Sequence, residues 1–216
     1  MKKHNASDHY KNRLKVKEGK YVYDPVVKNH LMKYFENRKC LDLGCGSGYY
    51  LQLMGEGSIG YDASQVNVDS GKENNLDIRL VNLDEWGEGE KEECELIFAS
   101  HIIEHLLSPV KFIEHCRKNL DKGDIYIIGV PTEYSIDRIK CGYGFNEDVR
   151  HFYSFSTENM KYLLERQNFK IIDRYISYTF MGTLNCTWIE NLLQKIVPFN
   201  IGLFFSKGYY YVCEAQ

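Results

Sequence analysis

The sequence predicts an α/β fold in which a mostly parallel sheet is flanked by helices. The first observation is a short apolar run, Cys40 to Leu43, which is typical of a buried parallel strand. The second is a row of three glycines, Gly44, Gly46 and Gly48, that follows at once and precedes an expected helix start at Tyr49. A strand, a glycine loop and a helix form the first unit of an open nucleotide-binding sheet.

Bulk properties describe an ordinary globular protein. The chain has 216 residues, of which 44% are hydrophobic and 26% charged, and this length accommodates one domain with a sizeable core. The net charge of −3 argues against a surface that binds nucleic acid along its whole length. The seven cysteines are odd in number and contain no C-x-x-C pair, which favours a reducing, cytoplasmic location over a disulfide framework or a zinc knuckle.

The sequence predicts neither a signal peptide nor a membrane span. The basic residues near the N-terminus are not followed by an apolar stretch. The longest apolar segment, Ile196 to Phe205, is interrupted by Pro198 and Asn200 and is too short to cross a bilayer. Residues 1–23 are polar and rich in lysine, so we expect an arm or lid there, followed by a single domain over residues 24–216.

Strands and helices alternate along the rest of the chain. Six further runs predict strands, at Ser58–Asp62, Asp77–Leu83, Glu95–Ser100, Gly123–Pro131, Phe169–Ser177 and Gly208–Cys213. Helices are expected to begin at Asp24, at Pro109 and at Ser156, where N-cap residues or proline stand. The expected buried stripes are Val27, Leu31, Tyr34 and Phe35 in the first helix and Val110, Ile113, Cys116 and Leu120 in the second.

Two segments interrupt this alternation, and we expect both on the substrate side of the sheet. Residues 132–156 show no periodic pattern, and their length is typical of a functional loop. Residues 179–207 form an apolar insert, for which core packing is the first expectation. A pocket wall, a dimer interface and contact with a membrane surface stay open as alternatives for this insert.

The spacing of the glycines separates two kinds of nucleotide site. The dinucleotide pattern G-x-G-x-x-G is not met, because Tyr49 stands where its third glycine belongs. The chain has instead D-x-G-x-G-x-G, starting at Asp42, which resembles the first motif of class I S-adenosylmethionine-dependent methyltransferases. The run IGYDAS, which contains Asp62, resembles the second motif of that family, and Glu95 to Pro131 resembles the following segment. Among family members the chain is similar to the ubiquinone-pathway O-methyltransferases.

This resemblance implies a fold, a cofactor and a set of contacts. The fold is a Rossmann-like, doubly wound, mostly parallel seven-stranded sheet flanked by helices, with the last strand antiparallel. The cofactor is S-adenosylmethionine, with Asp62 on its ribose hydroxyls and Asn82 and Leu83 on its adenine. The implied cofactor-binding residues are Asp42, Gly44, Cys45, Gly46, Gly48, Asp62, Ala63, Asn82, Leu83 and Ser100.

Three histidines are candidates for the catalytic proton transfer: His101, His105 and His151. His101 follows the fourth strand, next to where the family places the methyl group, and is the preferred general base. Glu104 and His105 could act structurally, since they recur in the family's motif. The metal-assisted members carry E-x-x-E-H here, so a divalent ion on these four residues is an alternative, although it is not favoured because His101 replaces the first Glu.

Three functions fit these observations. The preferred one is methyl transfer to an oxygen or nitrogen of a small molecule, such as a sugar, a nucleotide-linked compound or another metabolite. An RNA-modifying methyltransferase would depend on the basic N-terminal arm, and the net charge argues against it. A non-catalytic scaffold of the same fold is disfavoured because Asp42, Asp62 and the glycines are all present. The expected protein is a monomer or a homodimer.

Overall fold

The computed structural model describes residues 24–87, 91–132, 151–178 and 187–216, which contain a seven-stranded sheet. Its strands are β1 (Cys40–Leu43), β2 (Ile59–Asp62), β3 (Ile78–Leu80), β4 (Leu96–Ser100), β5 (Ile125–Pro131), β6 (Phe169–Tyr178) and β7 (Ser206–Ala215). They lie side by side in the order β3-β2-β1-β4-β5-β7-β6. Strands β1 to β5 pair in parallel, whereas β7 runs antiparallel to both of its neighbours. The predicted fold class is therefore confirmed.

The strand order locates the ligand-binding edge of the sheet. The chain moves outward from β1 through β2 to β3, and then returns to the other side of β1 with β4. In open α/β sheets, ligands bind outside the carboxyl ends of the strands at such a reversal. The glycine loop after Leu43, Asp62 at the end of β2, and Ser100 at the end of β4 all lie at this edge.

The sheet is buried on both faces, as its apolar sequences require. Every residue of β1 and β5 is buried. One core cluster contains Leu41, Ile97 and Tyr126, and a second one contains Phe98 and Ile127. Side chains of adjacent residues point to opposite faces of a strand, so continuous apolar runs supply both clusters at once.

Helices cover the sheet. They are a π-helical turn (Val27–Leu31) that leads into α1 (Met32–Phe35), then α2 (Gln65–Glu73), α3 (Pro109–Asn119), α4 (Thr157–Arg166), α5 (Thr187–Ile196) and α6 (Phe199–Gly202), with 3₁₀ turns at Leu51–Leu53, Ile103–His105 and Leu203–Phe205. The Ser156 side chain accepts a hydrogen bond from the Asn159 backbone N–H, which confirms the expected cap of α4. In the described part of the chain, no helix is long and apolar enough to cross a membrane.

Three expectations about local structure were wrong. The residues after Gly48 form turns and the short 3₁₀ turn Leu51–Leu53 rather than a full helix, because Gly55 follows too closely to leave room for one. Strand β3 ends at Leu80, so Asn82 and Leu83 lie in the turn beyond it.

The third wrong expectation concerns the inner face of α3. Val110 is exposed, and Phe112 takes its place in the core. A helical step of 100° places Phe112, Ile113 and Cys116 on one face and turns Val110 away from it. In the π-helical turn and α1, by contrast, Val27, Leu31 and Phe35 are buried as expected, and Tyr34 is half-buried.

Candidate active site

The glycine loop turns sharply at the end of β1. Gly44, Gly46 and Gly48 have φ angles of 75°, 57° and 84°, in the left-handed region that favours glycine. The backbone N–H groups of Gly44 and Cys45 both donate to the Tyr61 carbonyl oxygen, at 2.8 and 3.0 Å. The loop is thus fastened to β2, and its outer rim faces the carboxyl edge of the sheet.

Two of these glycines face different surroundings. A Cβ atom at Gly48 would stand 2.4 Å from Leu76 Cδ1 and 2.9 Å from Ile78 Cδ1, so this glycine allows the loop to pack closely against Leu76 and the start of β3. A Cβ atom at Gly46 would have no atom of the described residues within 4 Å. The open space over Gly46 fits a ligand that approaches the backbone closely.

Asp62 joins the second strand to the glycine loop. Its Oδ2 accepts a hydrogen bond from the Gly46 backbone N–H at 2.9 Å. Its Oδ1 accepts from the Ser64 backbone N–H and from Asn67 Nδ2, both at 2.9 Å. A carboxylate has about four acceptor positions. One acceptor position on Oδ2 therefore remains for a ligand hydroxyl.

Asp42 is a buried carboxyl beneath the loop. Only 2% of its surface is exposed, and its Oδ2 has no hydrogen-bond partner among the described residues. Burial raises its pKa to about 8, and the nearby charge of Asp62 adds to this effect. An unpartnered buried carboxyl oxygen can be satisfied by a donor or a cation on a bound ligand.

The other predicted cofactor residues lie around this loop. Cys45 is buried, and burial raises the pKa of its thiol, which makes it a packing residue rather than a nucleophile. Ala63 is exposed directly after β2. Asn82 is exposed, and its side-chain oxygen accepts from the Asp84 backbone N–H at 3.2 Å, whereas Leu83 is buried.

His101 has an unusual backbone at the end of β4. Its φ angle is 55°, in the left-handed region that is uncommon outside glycine. Its backbone N–H donates to the Gly129 carbonyl oxygen at 2.9 Å, which holds the turn against β5. The ring meets the Tyr210 ring edge to face, with centroids 6.3 Å apart, and the Tyr210 hydroxyl lies 3.1 Å from Ser100 Oγ.

Glu104 stands at the centre of the histidine group. The residue is 1% exposed, and neither carboxylate oxygen has a hydrogen-bond partner among the described residues. Its Oε1 lies 3.6 Å from His101 Nδ1 and 3.9 Å from His105 Nε2. A buried carboxylate without a hydrogen-bond donor is costly, so its persistence here points to a role with the neighbouring imidazoles.

His151 completes this group from a distant part of the sequence. Its ring meets the His105 ring at a centroid separation of 4.9 Å. Candidate ligand atoms of Glu104, His105 and His151 all lie within 4.8 Å of one another. The backbone N–H of Phe152 donates to the Glu104 carbonyl oxygen at 2.8 Å and fastens this segment to the 3₁₀ turn. The three histidines singled out in the sequence are therefore neighbours around Glu104.

Two residues of the site were missed in the sequence. Asn67 is buried and donates to Asp62. Asn67 stands five residues after Asp62, in the first turn of α2, and this position could have indicated the contact from the sequence. Tyr210 supports Ser100 and His101 from β7, and only the strand order brings β7 beside β5, so no local pattern marks it.

The chain has relatives among known proteins. A family model described as "Methyltransferase domain" matches residues 17–174. A tRNA U34 carboxymethyltransferase from Pseudoalteromonas atlantica is 32% identical over 111 residues, which cover 47% of this chain and 34% of that protein. A ubiquinone biosynthesis O-methyltransferase from Bartonella tribocorum is 34% identical over 95 residues, which cover 40% of this chain and 38% of that protein. The matched stretches thus span little more than a third of these two relatives.

A solved structure resembles most of the chain. The SAM-dependent methyltransferase from Archaeoglobus fulgidus matches with a TM-score of 0.65 and 19% sequence identity. The match covers 88% of this chain and 92% of that one. At this identity the likeness concerns the fold.

Proposed function

The chain belongs to the methyltransferase domain family, and we propose that it moves a methyl group from S-adenosylmethionine to an oxygen or nitrogen atom of a small molecule. The observation that carries the proposal is the glycine loop fastened to Asp62, with open space over Gly46 and an unpartnered oxygen on Asp42. Asp62 has one acceptor position left for a ribose hydroxyl. The buried Asp42 offers its free oxygen to the cationic end of the cofactor.

When it is bound, S-adenosylmethionine supplies a methyl group on a positively charged sulfur. The acceptor atom would attack this methyl carbon and displace the sulfur. An oxygen acceptor must lose its proton, and His101 is the proposed base at the end of β4. Buried Glu104, 3.6 Å from His101 Nδ1, stabilises the imidazolium that forms. The positive φ of His101 holds the ring at the carboxyl edge of the sheet.

A divalent metal ion is the alternative to His101 for activating the acceptor hydroxyl. Glu104, His105 and His151 offer a carboxylate oxygen and two imidazole nitrogens, a donor set suited to a first-row transition metal. Such an ion would lower the pKa of an acceptor hydroxyl. His101 lies on the other side of Glu104 and would then assist as a base or a fourth ligand.

The surroundings of the site favour a small acceptor over RNA. Phe152 and Tyr153 are exposed beside Glu104, and the Tyr153 hydroxyl donates to the Leu107 carbonyl oxygen at 3.1 Å. Asp42, Asp62, Asp84 and Glu104 are all acidic, whereas a phosphate backbone requires clustered cations. Three further aromatic residues of the 132–156 loop, Tyr134, Tyr143 and Phe145, lie outside the described residues.

The first described residue, Asp24, lies beside this site, and its position bears on the lid expected in residues 1–23. The Asp24 carboxylate accepts a hydrogen bond from Ser177 Oγ at 2.6 Å and lies 3.3 Å from Lys207 Nζ. Both partners stand at the carboxyl edge, since Ser177 is near the end of β6 and Lys207 near the start of β7. Residues 1–23 therefore join the domain at this edge, and we propose that they close over the acceptor.

Transfer from methyl-labelled S-adenosylmethionine to separate pools of small metabolites and of total RNA tests the proposal. We expect label in the small-molecule pool that resists ribonuclease. Label confined to RNA, and lost as salt is raised, would instead identify an RNA-modifying enzyme. Binding of the cofactor without transfer to either pool would support a non-catalytic scaffold.

A further inference from the structure

The inner face of α5 is unusual because it is fastened through polar side chains. The Gln194 amide accepts a hydrogen bond from the Ile176 backbone N–H at 3.2 Å and donates to the Ile176 carbonyl oxygen at 2.7 Å. Strand β6 is at the edge of the sheet, so this amide takes the place of a further strand. Ile189 and Leu193 pack beside it against Ile176 and Tyr178.

The outer face of α5 is also apolar. Trp188, Leu192 and Ile196 are 68%, 45% and 66% exposed, and their spacing of four residues aligns them in one stripe. A helix that is apolar on both faces is normally covered on both. Core packing, the first expectation for this insert, therefore explains only the inner face.

The segment after α5 adds to the stripe. Ile201 and Phe204 are 52% and 54% exposed. A Cβ atom at Gly202 would lie 2.5 Å from Ile176 Cδ1, so α6 rests on the same residue as α5. We call Trp188, Leu192, Ile196, Ile201 and Phe204 together the α5 patch.

The exposed charged residues of the segment from 187 to 207 are all positive. Between residues 187 and 207 the sequence has one acid, Glu190, and two cations, Lys195 and Lys207. Glu190 is fully buried and accepts a hydrogen bond from Asn29 Nδ2. Both lysines are exposed, but Lys207 lies 3.3 Å from the Asp24 carboxylate, so among the described residues Lys195 is the cation of this segment that forms no ion pair. An exposed apolar face with tryptophan and phenylalanine and with cations beside it is typical of a segment that lies in the interface of an anionic bilayer.

We propose that the α5 patch docks this protein onto the surface of an anionic lipid bilayer. The apolar side chains enter the boundary between headgroups and acyl chains, and Lys195 faces the lipid phosphates. A second copy of the chain is a poorer occupant, because a two-fold interface repeats the same patch on both sides. The interface would then contain Lys195 from both copies, and the segment has no exposed acid to pair with either of them.

Flotation of the full chain with lipid vesicles tests this proposal. We expect binding to vesicles of phosphatidylcholine with phosphatidylglycerol, weaker binding to phosphatidylcholine alone, and a decrease with salt. The double variant Trp188→Ser/Ile196→Ser should bind roughly tenfold more weakly or worse to both. The control Val110→Ser/Tyr162→Ser removes apolar residues of α3 and α4 that are 48% and 62% exposed, and it should bind as the parent does.

The charge variant Lys195→Glu separates lipid binding from a loss of folding. It leaves the apolar stripe intact, and we expect about tenfold weaker binding to the anionic vesicles only. Sedimentation analysis of all variants supplies the second measurement. The proposal is overturned if the parent binds neither kind of vesicle, or if Trp188→Ser/Ile196→Ser binds as well as the control. It is also overturned if the parent binds no vesicles and is a dimer that Trp188→Ser/Ile196→Ser converts to monomers.

Discussion

The Asp62 carboxylate accepts a hydrogen bond from the Gly46 backbone N–H at 2.9 Å, so the end of β2 holds the loop that follows β1. The same carboxylate also receives two donors from the start of its own helix, Ser64 and Asn67. Asp62 thus sets the shape of the glycine loop, and in the proposed function it also offers an oxygen to the ribose. A change at Asp62 should affect both properties.

Two alanine substitutions in the glycine loop should differ in their effects on stability and on cofactor affinity. Gly46→Ala places a methyl group in open space, so we expect a stability loss of only about 1–2 kcal/mol, from the positive φ, and a large loss of cofactor affinity. Gly48→Ala drives a methyl group against Leu76 and Ile78 and should destabilise the fold more. Urea unfolding and cofactor titration of both variants measure this contrast. Equal losses of stability would contradict it.

Asp42 should make stability fall as pH rises. Its folded pKa of about 8 is above the ordinary value of 3.8, so the folded protein keeps a proton that the unfolded chain releases between these values. Its contribution therefore declines by about 1.4 kcal/mol per pH unit across that window. Asp42→Asn should remove this decline.

The measurement is urea unfolding without cofactor at pH 5 and pH 8, on the parent and on Asp42→Asn. Asp69→Asn is the matched control, since Asp69 is an exposed acid on α2. An unchanged pH dependence in Asp42→Asn would show that this carboxyl is already ionised in the folded protein.

His101→Asn should remove the general base but keep the turn. Asparagine tolerates the positive φ better than most residues, so the backbone at the end of β4 should be preserved. With an oxygen acceptor we expect kcat to fall roughly 10²-fold or more, with cofactor affinity unchanged. A variant with normal kcat would exclude His101 as the base.

A substitution of His151 distinguishes the mechanism with His101 as general base from the metal-assisted mechanism. If His101 acts alone, His151→Gln should reduce kcat far less than His101→Asn, and a chelator should have no effect. Titration calorimetry with Mn²⁺ on the parent and on His151→Gln gives a readout that is independent of activity. Binding of Mn²⁺ that is lost in the variant, together with inhibition by the chelator, would favour the metal-assisted reaction.

Much of the fold could be predicted because its signals are local. All seven predicted strands are present in the sheet. Continuous apolar runs mark the strands that are buried on both faces, such as β1 and β5, whereas β3 and β6 are partly exposed. The acid at Asp62 and the glycines after Leu43 occupy fixed places after these strands, so their meeting at one edge follows from the topology. The end of β3 was misjudged because Val81 and Leu83 continue an apolar pattern that the backbone does not follow.

Other features depend on contacts between distant parts of the chain. The three histidines were visible in the sequence, but nothing in it indicated that Glu104 would be buried between them without a hydrogen-bond donor. Periodicity showed that the insert is apolar, but could not show that Gln194 covers the edge of β6. Such pairings are set by tertiary packing and have no local signature.

Calorimetric titration of the full chain with S-adenosylmethionine and with NAD tests the central claim most directly. We expect binding of S-adenosylmethionine in the micromolar range and none of NAD. Asp62→Ala should bind S-adenosylmethionine at least roughly tenfold more weakly, since it loses both the ribose contact and the tie to Gly46. The control Asp69→Ala, on the exposed side of α2, should bind as the parent does. Weak binding that Asp62→Ala leaves unchanged, or equal binding of NAD, would contradict an S-adenosylmethionine site at this loop.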